Sequence, residues 1–219
     1  TITANDVNGN VANCGEDKSF TIAANEGYSI ASVMVDGSDV TDAVIAANGV
    51  YTFTNVAEAH TIAATFSINS YNLTIHYVYA DDSEAAADYT ATLDYGATYS
   101  VASPAITGYT ANQTMVEGTM PAEDVTVTVT YNVNSYNLTI HYVYADDSEA
   151  AADYTATLEY GEPYSVVSPA IDGFTADRLV IEGTMGAADV TETVTYTAHP
   201  GPTHTLTIHY VYADDSEAA

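Results

Sequence analysis

The sequence predicts a chain built almost wholly of β-strands, all-β to β-rich α+β, arranged as small tandem modules. Three observations carry this. Apolar and polar residues alternate at period two in run after run, the signature of strands with one buried face. Those runs are filled with β-branched and aromatic residues. One segment, YNLTIHYVYADDSEAA, begins at Tyr71, begins again at Tyr136 and returns as HTLTIHYVYADDSEAA at His204. Leu73 recurs as Leu138, Gly118 as Gly183 and Tyr131 as Tyr196, a period of 138 − 73 = 65 residues. Periods of this kind mark arrays of one supersecondary unit.

Residues 1–68 form a module of their own. SFTIAANEGYSIASVMVDG and GVYTFTNVAEAHTIAATF predict three or four strands, with turns at Glu26-Gly27, Asp36-Gly37 and Asn48-Gly49. Asp-Gly and Asn-Gly are hairpin signals because both central residues of a type I′ turn need positive φ. Repeat 1 spans 69–133. Its first strand places Leu73, Ile75, Tyr77 and Tyr79 on the buried side, with Asn72, Thr74, His76 and Val78 on the other. ADDSEAAAD then reads as a hairpin loop or a short helical turn, and YTATLDY offers Tyr89, Ala91, Leu93 and Tyr95 as an inner set. Gly96, Pro104 and Gly108 break the chain around a short connecting element of one helical turn. VTVTVTY at 125–131 closes the module with Val inside and Thr outside. Repeat 2 spans 134–198 on the same plan.

The junctions SINS and NVNS are too short for free rotation, which predicts an elongated, semi-rigid rod. Residues 199–203 form a short linker, and 204–219 supply the first strand and acidic turn of an incomplete third repeat. With no initiator Met and no leader or membrane tail, the chain is expected to be a middle slice of a longer protein.

Charge excludes whole classes of partner. Thirty acidic residues face only Lys18 and Arg178, for a formal net charge of -28. Nucleic acid is excluded, since phosphate binding needs clustered Lys and Arg. Membrane insertion is not expected, because no apolar run is long enough to span a bilayer. Self-repulsion among the carboxylates predicts that mild acid stabilises the fold. Two basic residues leave two sites for a trypsin-like protease. Cys14, the single cysteine, allows no intrachain disulfide and is expected to be a buried or partly buried thiol.

The chemistry-bearing residues are few. Asp81, Asp82, Glu84 and Asp88, with Asp146, Asp147, Glu149 and Asp153, are candidate ligands for Ca²⁺, a hard cation that takes six to eight oxygens. The alternating acidic spacing of an EF-hand is missing, so the competing reading is a solvated hairpin tip that blunts aggregation. No cofactor other than calcium is indicated. His76, His141 and His209 fall on the polar strand face and read as surface residues, since the sequence shows no HExxH and no nucleophile at useful spacing. Among nineteen tyrosines, most are claimed by inner faces. Tyr99, Tyr109 and Tyr164, with Phe174, are the candidates for a glycan-stacking platform. Leu206, Ile208, Tyr210 and Tyr212 make a strand face without a partner, and are candidates for strand exchange with a neighbouring copy.

These landmarks carry a resemblance. YNLTIHYVYADDSEAA, YGATYSV, ITGYT, VEGTM and VTVTVTY resemble the MucBP (mucin-binding) type repeat of Gram-positive surface proteins. The matching positions are Tyr77, Asp81, Asp82, Gly96, Gly108, Tyr109, Gly118 and Tyr131, and again Tyr142, Asp146, Asp147, Gly161, Gly173, Phe174, Gly183 and Tyr196. NEGYSIASVMVDG and YTFTNVAEAHTIAATF are similar to a divergent internalin B-type repeat. Both resemblances imply β-grasp-like modules. One departure is the hairpin DDSEAAAD, which lacks the Gly of an Asp-x-Gly turn and implies a wider turn. The function this implies is a non-catalytic extracellular stalk or adhesin segment at a bacterial surface, cell-wall anchored or filamentous. The alternatives are a module that binds host mucin or another glycoprotein, and a filament subunit joined to neighbouring copies through 204–219.

Overall fold

The computed structural model describes residues 1–6, 8–201, 205–210 and 213. Its Cα framework divides into two units, Thr1–Asn132 and Val133–Ala219. The first holds the N-terminal module and repeat 1, and the second holds repeat 2. No helix among the described residues is long and apolar enough to cross a membrane.

The N-terminal module runs β1 (Ile2–Ala4), β2 (Lys18–Ile22), β3 (Tyr28–Val35), β4 (Ser38–Asp39), α1 (Thr41–Ala46), β5 (Val50–Phe53) and β6 (Ile62–Ile68). The strands form two antiparallel sheets, β1-β2-β5 and β4-β3-β6. Phe20, Ile22 and Phe53 from one sheet meet Val33 and Val35 from the other, with Val44 of the helix closing the core. Asp36-Gly37 makes the expected hairpin, both residues at positive φ, with Val35 opposite Ser38. Asn48-Gly49 does something else. Asn48 N–H donates to the Ile45 carbonyl at 3.1 Å and Gly49 N–H to Val44 at 2.8 Å, a Schellman stop for α1. The dipeptide signalled positive φ correctly, but a six-residue helix can end on the same geometry as a hairpin.

Period two in β2 puts Lys18 on the same inward face as Phe20 and Ile22, and its side chain is only 4% exposed. A buried ammonium needs a charged partner. Asp6 supplies it, and the hydrogen bond from Lys18 holds the Asp6 carboxyl below its ordinary value. One of the two basic cleavage sites read from the sequence is therefore shielded while the module stays folded.

Repeat 1 comprises β7 (Ser70–Tyr79), β8 (Glu84–Asp94), β9 (Thr98–Ala102), β10 (Tyr109–Ala111), β11 (Met115–Thr119) and β12 (Val125–Val133). Repeat 2 follows as β13 (Ser135–Tyr144), β14 (Glu149–Glu159), β15 (Pro163–Val167), β16 (Phe174–Ala176), β17 (Val180–Thr184) and β18 (Val190–Ala198). Each repeat has a four-stranded sheet, β10-β12-β7-β8 or β14-β13-β18-β16. Each also has a two-stranded ribbon, β9 with β11 or β15 with β17. The first and last strands are neighbours and parallel, from Leu73 opposite Val125 to Tyr79 opposite Tyr131. Parallel neighbours require a crossover. Here the crossover passes through the ribbon, and no helical turn forms between Gly96 and Gly108. The repeats are thus β-grasp-like in strand order, with the ribbon where a β-grasp has its helix.

The ribbon covers the apolar face of the sheet. Leu73, Ile75, Tyr77, Val129 and Tyr131 pack under Val116 of the ribbon and Met120 just beyond it. In repeat 2 the same layer is Leu138, Ile140, Tyr142, Val194 and Tyr196 under Ile181. The Tyr131 and Tyr196 hydroxyls donate to the carbonyls of Pro104 and Pro169, each at 2.6 Å, so the buried phenols are satisfied.

Two strand expectations need correction. ADDSEAAAD is not a loop across its length: a short turn ends at Ser83 and strand begins again at Glu84 and at Glu149. Alanines carry little strand propensity, but pairing with β7 and packing of Ala85 and Ala86 on the core override it. Tyr89 lies on the expected face opposite Ile75, yet it is 39% exposed. β8 is an edge strand, with no neighbour on its outer side to cover the ring.

The first junction is specific. Asn69 N–H donates to the Gly27 carbonyl and Asn69's carbonyl accepts from Tyr95 N–H, both at 2.8 Å. The Tyr95 ring lies where a Gly27 side chain would sit, and meets Tyr28 edge-on at 6.3 Å.

Candidate functional site

The tyrosines proposed as a glycan platform are largely structural. Tyr99 packs against the repeat 1 core with its hydroxyl over Gly118, and Tyr164 covers Gly183 in the same way. Tyr109 meets Tyr79 at 4.7 Å between ring centres, and Phe174 meets Tyr144 at 4.6 Å. All four are half-buried. Each is thus engaged in packing within its own repeat.

The acidic turns are organised by their own hydrogen bonds. Asp81 accepts from the Ser83 hydroxyl at 2.6 Å and from Ser83 N–H at 3.1 Å, while Asp82 takes φ 64°. Asp146 and Ser148 repeat the arrangement, with Asp147 at φ 62°. Glu84 and Glu149 open the following strands. Asp88 and Asp153 lie further along those strands, each bonded to a histidine. The eight calcium candidates are therefore dispersed, and among the described residues no three His, Cys, Asp or Glu side chains are placed to hold a metal ion.

These turns give the chain a pH dependence with a definite sign. The Ser83 and Ser148 hydroxyls hold Asp81 and Asp146 below the ordinary 3.8. The Thr41 hydroxyl does the same for Asp39, and Thr61 N–H for Asp36. A carboxyl depressed in the folded state adds stability above its unfolded value and loses it as pH falls through the folded one. From pH 7 to 5 these groups stay ionised while relief of repulsion among other carboxylates favours the fold. The melting temperature is expected to hold or rise from pH 7 to 5 and to fall below about pH 3.8, in a fluorescence melting series. A steady decline from pH 7 to 5 would contradict it.

The histidines have partners that sequence reading missed. His76 Nδ1 lies 2.8 Å from Asp88, and His141 Nδ1 lies 2.8 Å from Asp153. Thr74 stands opposite Thr90, and the histidine reaches Asp88 at a point where the ladder register shifts twice, which hides the pair from counting back from the turn. In the N-terminal module His60 pairs with Asp36 at 2.7 Å and stacks on Phe53 at 4.9 Å. Cys14 is exposed, against the expectation of a buried thiol. It sits outside the strands, in the segment between β1 and β2. Leu206, Ile208 and Tyr210 are 82%, 59% and 69% exposed and belong to no strand, whereas their counterparts Leu73, Ile75 and Tyr77 are buried. Tyr212 lies outside the described residues.

The outer face of the four-stranded sheet presents a second surface. In repeat 2, Asn137 and Thr139 on β13 stand opposite Thr157 and Thr155 on β14, and Thr191 on β18 stands opposite Thr139 from the other side. With Asp189 they line a trough of about 480 Å³. Asp189 accepts from Asn137 N–H at 2.8 Å, and Thr157 donates its hydroxyl to Asn137 Oδ1 at 3.0 Å. Repeat 1 carries the same residues and bonds: Asp124 accepts from Asn72 N–H at 2.7 Å and Thr92 donates to Asn72 Oδ1 at 3.0 Å.

No curated protein matches the chain. Among solved structures, the type 2 repeat of the mucus binding protein MUB from Lactobacillus reuteri is similar at 18% identity and a TM-score of 0.29, over 59% of this chain and 100% of that one. Mub-RV is similar at 17% identity and a TM-score of 0.28, over 59% and 100%. Domains 3–4 of the Streptococcal High Identity Repeats in Tandem from a cell surface protein are similar at 19% and 0.26, over 59% and 99%. The family model described as the MucBP domain matches residues 72–132 and 137–197, one match on each β-grasp-like repeat. The chain belongs to the MucBP domain family.

Proposed function

We propose that the chain is a non-catalytic repeat segment of an extracellular, surface-held bacterial adhesin, serving both as stalk and as a weak binding array. The observation that carries this reading is the tandem pair of MucBP domains at 72–132 and 137–197. The partner proposed is a host mucin or a similarly glycosylated protein. Affinity per module is low and gains through repetition, because linked sites bind at high effective concentration. The net charge of -28 supports a partner that is not polyanionic nucleic acid. Residues 1–68 are proposed to be a divergent internalin B-type repeat, on their sequence landmarks.

The test is binding of the whole chain to immobilised mucin, with and without chelator, against mucin stripped of its glycans. Saturable binding that disappears with the glycans and ignores the chelator is the expected result. No binding at millimolar chain would leave a stalk alone. A second reading, self-association through 204–219, is favoured by the exposure of Leu206, Ile208 and Tyr210. Sedimentation that shows monomer at high concentration would remove it.

A further inference from the structure

We propose that the polar trough on the outer sheet face of repeat 2, and the equivalent residues on that face of repeat 1, form a binding site for a neutral sugar, held through its hydroxyl groups. The proposal rests on the adhesin reading and names the surface and ligand class that reading lacks. The site is Asn137, Thr139, Thr155, Thr157, Asp189 and Thr191 in repeat 2, with Asn72, Thr74, Thr90, Thr92, Asp124 and Thr126 as its copy in repeat 1.

Its chemistry is that of a polyol receptor. Threonines 191, 139 and 155 form a row across three adjacent strands, about 4.8 Å from strand to strand. Each hydroxyl both donates and accepts, as sugar hydroxyls do. Asn137 has its amide oxygen tied to Thr157, which leaves the amide NH₂ as a donor pair. Asp189 uses Oδ1 on the Asn137 N–H and keeps Oδ2 as an acceptor. These internal bonds fix both side chains before a ligand arrives, and the strands beneath them are rigid. A donor pair beside a carboxylate acceptor is suited to adjacent sugar hydroxyls.

Charge selects within the class. No Lys or Arg lines the trough, one carboxylate does, and the whole chain carries -28. Arg178, the one cation in repeat 2, has its guanidinium tied to Glu192 at 3.0 Å and to the Thr193 carbonyl at 2.7 Å. Sialylated or sulfated sugars would meet repulsion without a compensating cation. A metal-bridged ligand is disfavoured by the scarcity of converging acidic groups. A peptide adding as a strand would pair along the edge of β14 and not within the trough, because β13 is already paired on both sides.

The repeats diverge elsewhere: Thr107 becomes Asp172, Gln113 becomes Arg178, Thr114 becomes Leu179 and Val127 becomes Glu192. All six trough residues are the same in both copies. Asp124 and Thr126 lie outside the identical 71–93 block, so that block alone does not account for the match.

The experiment is an NMR titration of the whole chain with lactose, a neutral galactose-terminated disaccharide, and in parallel with 3′-sialyllactose. Lactose is expected to move the amides of 137–139, 155–157 and 189–191 and their repeat 1 counterparts, with sialyllactose at least tenfold weaker. Thr139→Val with Thr155→Val, combined with Thr74→Val and Thr90→Val, removes four hydroxyls but keeps β-branched strands. Binding of lactose and of desialylated mucin should then fall at least tenfold at an unchanged melting temperature. If the valine variant keeps its binding, or the shifts map to Tyr99 and Tyr164, the trough is overturned while the adhesin reading stands. Equal or tighter binding of sialyllactose overturns the neutral class. A chain that binds neither sugar nor any mucin overturns this site and the binding half of the adhesin reading together, leaving the stalk.

Discussion

Gly49→Ala is expected to unfold the N-terminal module and leave the repeats intact. Gly49 has φ +83°, and an added Cβ would stand 2.5 Å from the Ile22 carbonyl oxygen. That atom is backbone and cannot rotate away. The residue is tied at both ends, donating to Val44 and accepting from Ile22 N–H at 2.7 Å. An L-residue in the left-handed region costs roughly 1–2 kcal/mol. The forced retreat of β2 adds at least as much, for a loss on the order of 3 kcal/mol or more. Ile22 and Val44, on either side of the glycine, both belong to the core. Hydrogen exchange resolved by segment is the measurement: protection across 18–53 should collapse while 70–131 keeps its own. Unchanged protection at 18–22 would show that the turn accommodates the methyl.

Tyr196→Ala should remove most of the stability of repeat 2 and spare repeat 1. Tyr196 is 1% exposed, packs on Tyr142 with ring centres 6.4 Å apart, and donates to the Pro169 carbonyl. Truncating a buried aromatic ring costs about 3–5 kcal/mol, a large share of what small domains have. Tyr196→Phe separates the terms, keeping the ring and leaving one carbonyl unpaired, for about 1–2 kcal/mol. Tyr131 with Pro104 is the built-in reference in repeat 1. Calorimetry should show one transition shifted far down by alanine and modestly by phenylalanine. Equal shifts from both substitutions would mean that the hydrogen bond, and not the packing, carries the site.

Much of this architecture was legible because period two is a local property. Leu73, Ile75 and Tyr77 fall on the buried face, as does Val129, since strand neighbours alternate whatever they pair with. What escaped was set by partners distant in sequence. Exposure of Tyr89 follows from β8 lying at a sheet edge, which strand order decides. Asn48-Gly49 ends a helix because Val44 packs between two sheets and nucleates a turn too short to show a helical period. The His76–Asp88 bond escaped for the same reason, because counting back from the turn crosses two register shifts, at Tyr77/Val78 and at Ile75/Tyr77, before His76 is reached. The trough was harder to see: Asp124 joins Asn72 only when the last strand returns beside the first. The tyrosines drew attention through their number, and the structure spends them on cores and on covering Gly118 and Gly183.

The parallel pairing of first and last strands has a mechanical meaning. A tether pulled at both ends tugs β7 from its start and β12 from its finish, and in a parallel pair those points lie at opposite ends of the ladder. The load therefore acts in shear along the strands. Every bond from Leu73–Val125 to Tyr79–Tyr131 shares it at once, whereas an antiparallel terminal pair would open like a zipper, one bond at a time. Resistance to such a pull is a matter of unfolding rate more than equilibrium stability. A repeat can thus be modest in a melting experiment and still hold its length under flow.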